Sequence, residues 1–167
     1  MVIIGLPRSR TAWLSVFMSQ SGVYFHHEAV NGCNSINDYM NKVQGCGDST
    51  TCFDIAGCHD KKVIIVKSDD EVERCIEWCD KTYLSDSREF ITHLNSRLKL
   101  ESGLRINQSE INERLPDIWR YLLGYGLDAR HMKMIDFNIQ VQNTSIDEQA
   151  AKIFYESIRQ DTQQIRH

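Results

Sequence analysis

Hydrophobic and polar positions along this chain fall into short β-branched runs separated by stretches of helical spacing. Val2-Ile3-Ile4 is an apolar run closed by Gly5 and Pro7, which predicts a buried strand entering a turn. Trp13, Leu14, Phe17 and Met18 then recur at helical spacing until Ser21-Gly22. Val23-Tyr24-Phe25 reads as a second short strand, with His26-His27-Glu28 at its end. A strand, a glycine-bounded loop, a helix and another strand in this order open a parallel α/β sheet.

Residues 31–60 are rich in Asn, Gly, Ser, Asp and Cys, and the pattern predicts one helix over 36–43 and one short strand around 51–55. Gly47-Asp48-Ser49-Thr50-Thr51 reads as a hydroxyl-rich turn ahead of that strand, explicable by turn chemistry alone or as part of a substrate wall. Val63-Ile64-Ile65-Val66 is the clearest strand, followed at once by Ser68-Asp69-Asp70-Glu71, a capping box that starts a helix burying Val72, Cys75, Ile76 and Cys79. From 86 to 123 the pattern is helical, with Pro116 early in a helix or kinking it. Met132, Met134, Ile135, Phe137, Ile139 and Val141 alternate well enough to predict a last extended segment, and Ser145-Ile146-Asp147-Glu148 caps a final amphipathic helix. Strands alternating with helices predict one α/β domain over 1–167: three layers, α/β/α, around a mostly parallel sheet.

Composition narrows the classes. With 167 residues, 41% of them hydrophobic and 25% charged, the chain has the make-up of a globular protein that buries about two-thirds of its unfolded surface. A net charge of −4 argues against wrapping long nucleic acid while leaving room for a small anionic ligand. No apolar run approaches the roughly 18 residues of a membrane span, and Met1-Val2-Ile3-Ile4 is too short and uncharged to start a signal peptide, so a cytoplasmic chain is expected. Six cysteines stand at 33, 46, 52, 58, 75 and 79. Cys46, Cys52, Cys58 and His59 raise the question of zinc, but they lack paired CxxC knuckles, and reduced thiols with no bound metal are the expectation.

The segment Gly5-Leu6-Pro7-Arg8-Ser9-Arg10-Thr11-Ala12-Trp13 carries the clearest chemistry. A loop between a buried strand and a helix start offers free backbone N–H groups and the positive end of a helix dipole. Against the pattern GxxxxGK[ST], the second glycine is replaced by Arg10 and the lysine is missing, so the loop fits an ATP or GTP kinase poorly. Asp69 and Asp136 are the only loose candidates for the metal-side acid of such a kinase.

Pro7, Arg8, Ser9, Thr11 and Trp13, in that order after the first strand, resemble the nucleotide loop of the P-loop sulfotransferases, in a compact form. Arg10 departs from a glycine of that motif, and Ala12 from a hydroxyl. The resemblance implies a P-loop fold and 3′-phosphoadenosine-5′-phosphosulfate (PAPS) as cofactor, held by residues 7–13. Arg8 would steady the transferring sulfonate, and a hydroxyl or amine of a small or carbohydrate acceptor would receive it. It also implies a second phosphate contact from Lys67, at the end of the strand over 63–66, and from Cys75 eight residues on, in place of the family's arginine and serine. The catalytic base would lie just beyond the second strand, where Glu28 is the first choice and His27 or His26 the rivals. A repurposed, non-catalytic domain binding a nucleotide or a partner protein is the alternative from another class, and a nucleotide kinase is a third.

Overall fold

The computed structural model describes residues 1–83 and 86–143, with side chains up to Asp136 in its last helix. Five strands form one sheet: β1 (Val2–Gly5), β2 (Phe25–His27), β3 (Gly47–Thr50), β4 (Lys62–Val66) and β5 (Leu104–Asn107). Their order is β2-β3-β1-β4-β5 and every pair is parallel. Val2 lies opposite Asp48 on one side and Lys62 on the other, so β1 is the central strand. Its side chains are fully buried, as expected of a strand covered on both faces.

Helices cover both faces of the sheet. Val2, Ile4 and Ile64 point to one core, shared with α2 (Ile36–Lys42), α3 (Asp69–Tyr83), α4 (Arg88–Leu100) and a 3₁₀ turn over Phe53–Cys58. Ile3, Val63, Ile65 and Ile106 point to the other, shared with α1 (Thr11–Ser19), α5 (Ile111–Leu123) and α6 (Ala129–Asn143). The alternation along β1 and β4 is the period-2 pleat that separates the two cores. The chain is thus a three-layer α/β/α structure. Trp119 anchors the second core, its ring 5.4 Å from Phe17 and 4.2 Å from His131. Among the described residues no helix is long and apolar enough to cross a membrane.

Four local readings of the sequence are corrected. The second strand pairs over Phe25–His27 rather than 23–25. The segment expected to be a turn, Gly47-Asp48-Ser49-Thr50, is the strand β3, and the strand expected around 51–55 is mostly the 3₁₀ turn. Within the stretch expected to be helical throughout, Leu104–Asn107 forms the edge strand β5, with Ile106 buried and Arg105 and Asn107 outside. Gly103, just before it, brings its backbone against the Lys62 carbonyl, where a Cβ would collide. The extended segment expected from Met132 onward is the helix α6: Asp128 Oδ1 accepts from the N–H groups of Arg130 and His131, and His131 and Ile135 are buried one turn apart. The helix expected from Ser145 lies outside the described residues.

The polar strand β3 is buried because each of its polar groups finds a partner. Asp48 accepts from Ala29 N–H at 3.2 Å, from Ser49 N–H at 2.9 Å and from the Tyr39 hydroxyl at 3.3 Å. The Tyr39 oxygen stands 2.7 Å from His59 Nε2, and with its own proton given to Asp48 it accepts from that nitrogen. Ser49 Oγ donates to the His26 carbonyl, and Thr50 Oγ1 donates to Glu28 Oε2 at 2.7 Å. These bonds fix the end of β2 to the middle of the sheet.

Burial pushes the His59 imidazole down to about 4 from its ordinary 6.5. A lowered value means the unfolded chain binds the extra proton, so this share of stability is present above pH 6.5 and lost as pH falls toward 4. Burial raises the Asp48 carboxyl, which works in the opposite sense. Denaturation between pH 7 and pH 4 should therefore show a loss on the order of 2–4 kcal/mol that is absent in His59→Gln; equal slopes in both proteins would refute the assignment.

Candidate functional site

The β1–α1 loop holds its shape against local preference. Arg8 and Arg10 both sit in the left-handed region, at φ 64° and φ 60°, with Ser9 at negative φ between them. Each left-handed non-glycine residue costs on the order of 1 kcal/mol, so surrounding contacts must fix it. Such alternation turns successive backbone N–H groups toward one side and forms a concavity that suits an anion. Gly5 is required beneath it: a Cβ there would stand 2.7 Å from Ser9 Cβ and 3.2 Å from Ile65 Cβ.

Three loop carbonyls are occupied from the other side. Leu6 O accepts from Ser9 N–H at 3.1 Å, Pro7 O from the Cys75 thiol at 3.2 Å, and Arg8 O from Lys67 Nζ at 3.3 Å. Lys67 also donates to Gln108 Oε1 and is only 7% exposed. Burial holds its ammonium below the ordinary lysine range and pushes the Cys75 thiol up to about 11, so Cys75 serves as a neutral donor. Lys67 and Cys75, expected as phosphate contacts, thus stand beside the loop as predicted, but their polar atoms grip its backbone.

The helix that follows starts without a cap. Arg10 occupies the N-cap position of α1 and makes no side-chain bond to the first turn, which also lacks an acidic residue. Helix α3 differs, with Ser68 and Glu71 bonding reciprocally in the expected capping box. The first-turn amides of α1 and the positive end of its dipole therefore face an anion site unneutralised. Ser9 Oγ is buried with no hydrogen-bond partner among the described residues. The two arginines splay apart. Arg10 lies 4.6 Å over the Trp13 ring and donates to Asn112 Oδ1, while Arg8 reaches toward α3, 5.3 Å over the Trp78 ring. Thr11 is buried, Ala12 exposed, and Pro7 half-buried.

The loop stands where adjacent parallel strands diverge. The connection from β1 leads to α1 on one face, and that from β4 leads to α3 on the other, which opens a crevice between their carboxyl ends. A cleft of about 410 Å³ lies there, with Arg8, Lys67 and Gln108 at one end and Glu71, Arg74 and Cys75 on the near part of α3. Glu77, Trp78 and Lys81 continue the α3 wall. The role of Gln108 and the α3 cations was not legible from motif reading, since β5 itself was missed.

Glu28, His26 and His27 do not line this cleft. Glu28 is itself left-handed, at φ 55°, and its carboxylate accepts from Thr50 Oγ1, Thr51 N–H and Thr51 Oγ1 at 2.7, 2.7 and 3.0 Å. These bonds draw it from β2 over the end of β3, the direct neighbour of β1. His27 Nδ1 is 3.0 Å from the Ser49 carbonyl, and His26 packs edge-on against Tyr24. Asp69 is exposed in the first turn of α3 and Asp136 is exposed on α6. All six cysteines are free, and among the described residues no group of three or more His, Cys, Asp or Glu is arranged to hold a metal.

No protein-family model, curated protein or solved structure matches the chain. Function is therefore argued from the site alone.

Gly5→Ala tests the loop's packing. It should cost about 1–3 kcal/mol in chemical denaturation, because Ser9 and Ile65 must both give way. A Gly5→Ala protein of wild-type stability would refute the close approach.

Proposed function

We propose that the β1–α1 loop binds the phosphate and sulfonate end of a nucleotide and that the protein is a sulfotransferase of compact, P-loop type. The observation that carries this reading is the loop itself: carbonyls tied back by Cys75 and Lys67, amides and an uncapped helix start on the other side, and Arg8 beside them. The residues fit a phosphosulfate. Gly5 admits a close backbone approach, the buried Ser9 hydroxyl lacks a partner among the described residues, and Arg8 has no carboxylate partner there.

PAPS, when bound, would supply the sulfonate. Residues 8–13 would hold its 5′ side through backbone N–H groups and the Ser9 and Thr11 hydroxyls. Trp13, ordered by stacking on Phe17 at 5.2 Å, would wall the nucleotide on the α1 side. Arg8 would neutralise charge on the sulfonate and the oxygen it leaves. Lys67 and Cys75 would act chiefly by fixing the loop's shape, with further ammonium protons of Lys67 left for the phosphate. Glu28, held over β3 one strand from the loop, would take the proton of the acceptor hydroxyl or amine, with His27 as the rival.

The three donors already engaged by Glu28 favour a second reading, a nucleotide-binding domain without transfer activity. Calorimetric titration with 3′-phosphoadenosine-5′-phosphate and with ATP-magnesium separates the readings from a kinase. Micromolar binding of the first, reduced about 10- to 100-fold in Arg8→Ala, is expected. Binding of neither ligand would overturn the proposal. Binding without sulfonate transfer to a broad acceptor panel would leave the second reading.

A further inference from the structure

The α3 wall of the cleft carries more positive charge than the loop needs. Arg74 and Lys81 lie seven positions apart, two helical turns or about 10 Å along the axis, with Trp78 between them on the same face. Lys67 is committed to the Arg8 carbonyl and Gln108. Among the described residues Arg8, Arg74 and Lys81 have no carboxylate at ion-pair distance. The acids of α3 are mostly taken elsewhere: Glu71 caps Ser68, Glu73 pairs with Arg88 at 2.7 Å, and Asp80 accepts from Ser87 N–H. Glu77 remains as an acid in the wall, against four cations in the whole lining. Arg8, held over Trp78, bridges this wall to the loop.

Unpaired cations converging on one cleft are costly to keep close together unless an anion joins them. We propose that Arg74 and Lys81, beside Trp78, form a second anion subsite for an acceptor sugar that carries its own phosphate, sulfate or carboxylate. The inference rests on the nucleotide-loop reading and adds to it the charge class of the acceptor. An acceptor of this kind would lie along α3 with its charged substituent between Arg74 and Lys81. Its reacting hydroxyl would face Arg8 and the loop. Neutral sugars would gain nothing from this wall, so the subsite acts as a selector of anionic acceptors.

The test is titration of the full chain with fructose 6-phosphate, fructose 1,6-bisphosphate and 3′-phosphoadenosine-5′-phosphate, each against Arg74→Gln/Lys81→Gln and Arg8→Ala. Both wall residues are exposed, so the double variant should keep wild-type thermal stability. The sugar bisphosphate should bind at least about 10-fold more tightly than the monophosphate, and the double variant should abolish that advantage. Monophosphate and nucleotide affinities should change less than about 2-fold in the double variant and fall in Arg8→Ala. Equal affinity for the two sugars, or an advantage that survives in the double variant, would overturn the subsite and leave the loop reading intact. A loss confined to the nucleotide would assign the wall to the nucleotide instead and overturn the proposal. Binding of no ligand by the wild type would overturn the loop reading and the subsite together.

Discussion

Everything proposed for this molecule depends on how the backbone between β1 and α1 is held. The Cys75 thiol takes the Pro7 carbonyl and the Lys67 ammonium takes the Arg8 carbonyl. With those acceptors fixed toward α3 and β4, the loop can keep Arg8 and Arg10 left-handed, and the start of α1 stays uncapped. The grip comes from the strand next to β1 and from the helix that strand launches, so it is built into the sheet order. A charged lysine and a neutral thiol suit the task because both donate, and burial keeps the thiol protonated. The strain in the loop is thereby offset by contacts outside it.

The other side of the sheet serves the same end by a different route. β3 is buried yet polar, and its groups are spent on holding the segment that follows β2. Asp48 holds Ala29, Ser49 holds the His26 carbonyl, and Thr50 and Thr51 hold Glu28. A hydrophobic β3 would pack as well but would leave Glu28 free to swing away from the loop. Polar strand and tethered carboxylate together place a candidate base within one strand of the anion-binding backbone. The same tethering also supports a protein that binds without transferring.

The sequence made the layer architecture legible because β1 and β4 are near-continuous apolar runs and the helices on each face keep their spacing. The loop was legible because proline, arginines and hydroxyls crowd one turn. Other parts were hidden for identifiable reasons. β3 reads as a turn since its burial is satisfied by side-chain hydrogen bonds rather than by apolar contact. β5 is an edge strand with a single fully buried side chain, too little to break a helical pattern. The helix α6 was disguised by β-branched residues, although Asp128 already offered a cap. Lys67 and Cys75 were found by position, but spacing alone could not show that their polar atoms face the loop's carbonyls. Arg74 and Lys81 look like ordinary surface cations until the α3 wall is set against the cleft.

The central claim is that the amides after Gly5 form an anion site. The most direct measurement is a phosphate titration followed by amide resonances of uniformly labelled protein. Saturable shifts concentrated on residues 8–13, with a smaller response at Lys67, are predicted. Shifts that do not saturate, or that cluster away from the β1–α1 loop, would contradict it.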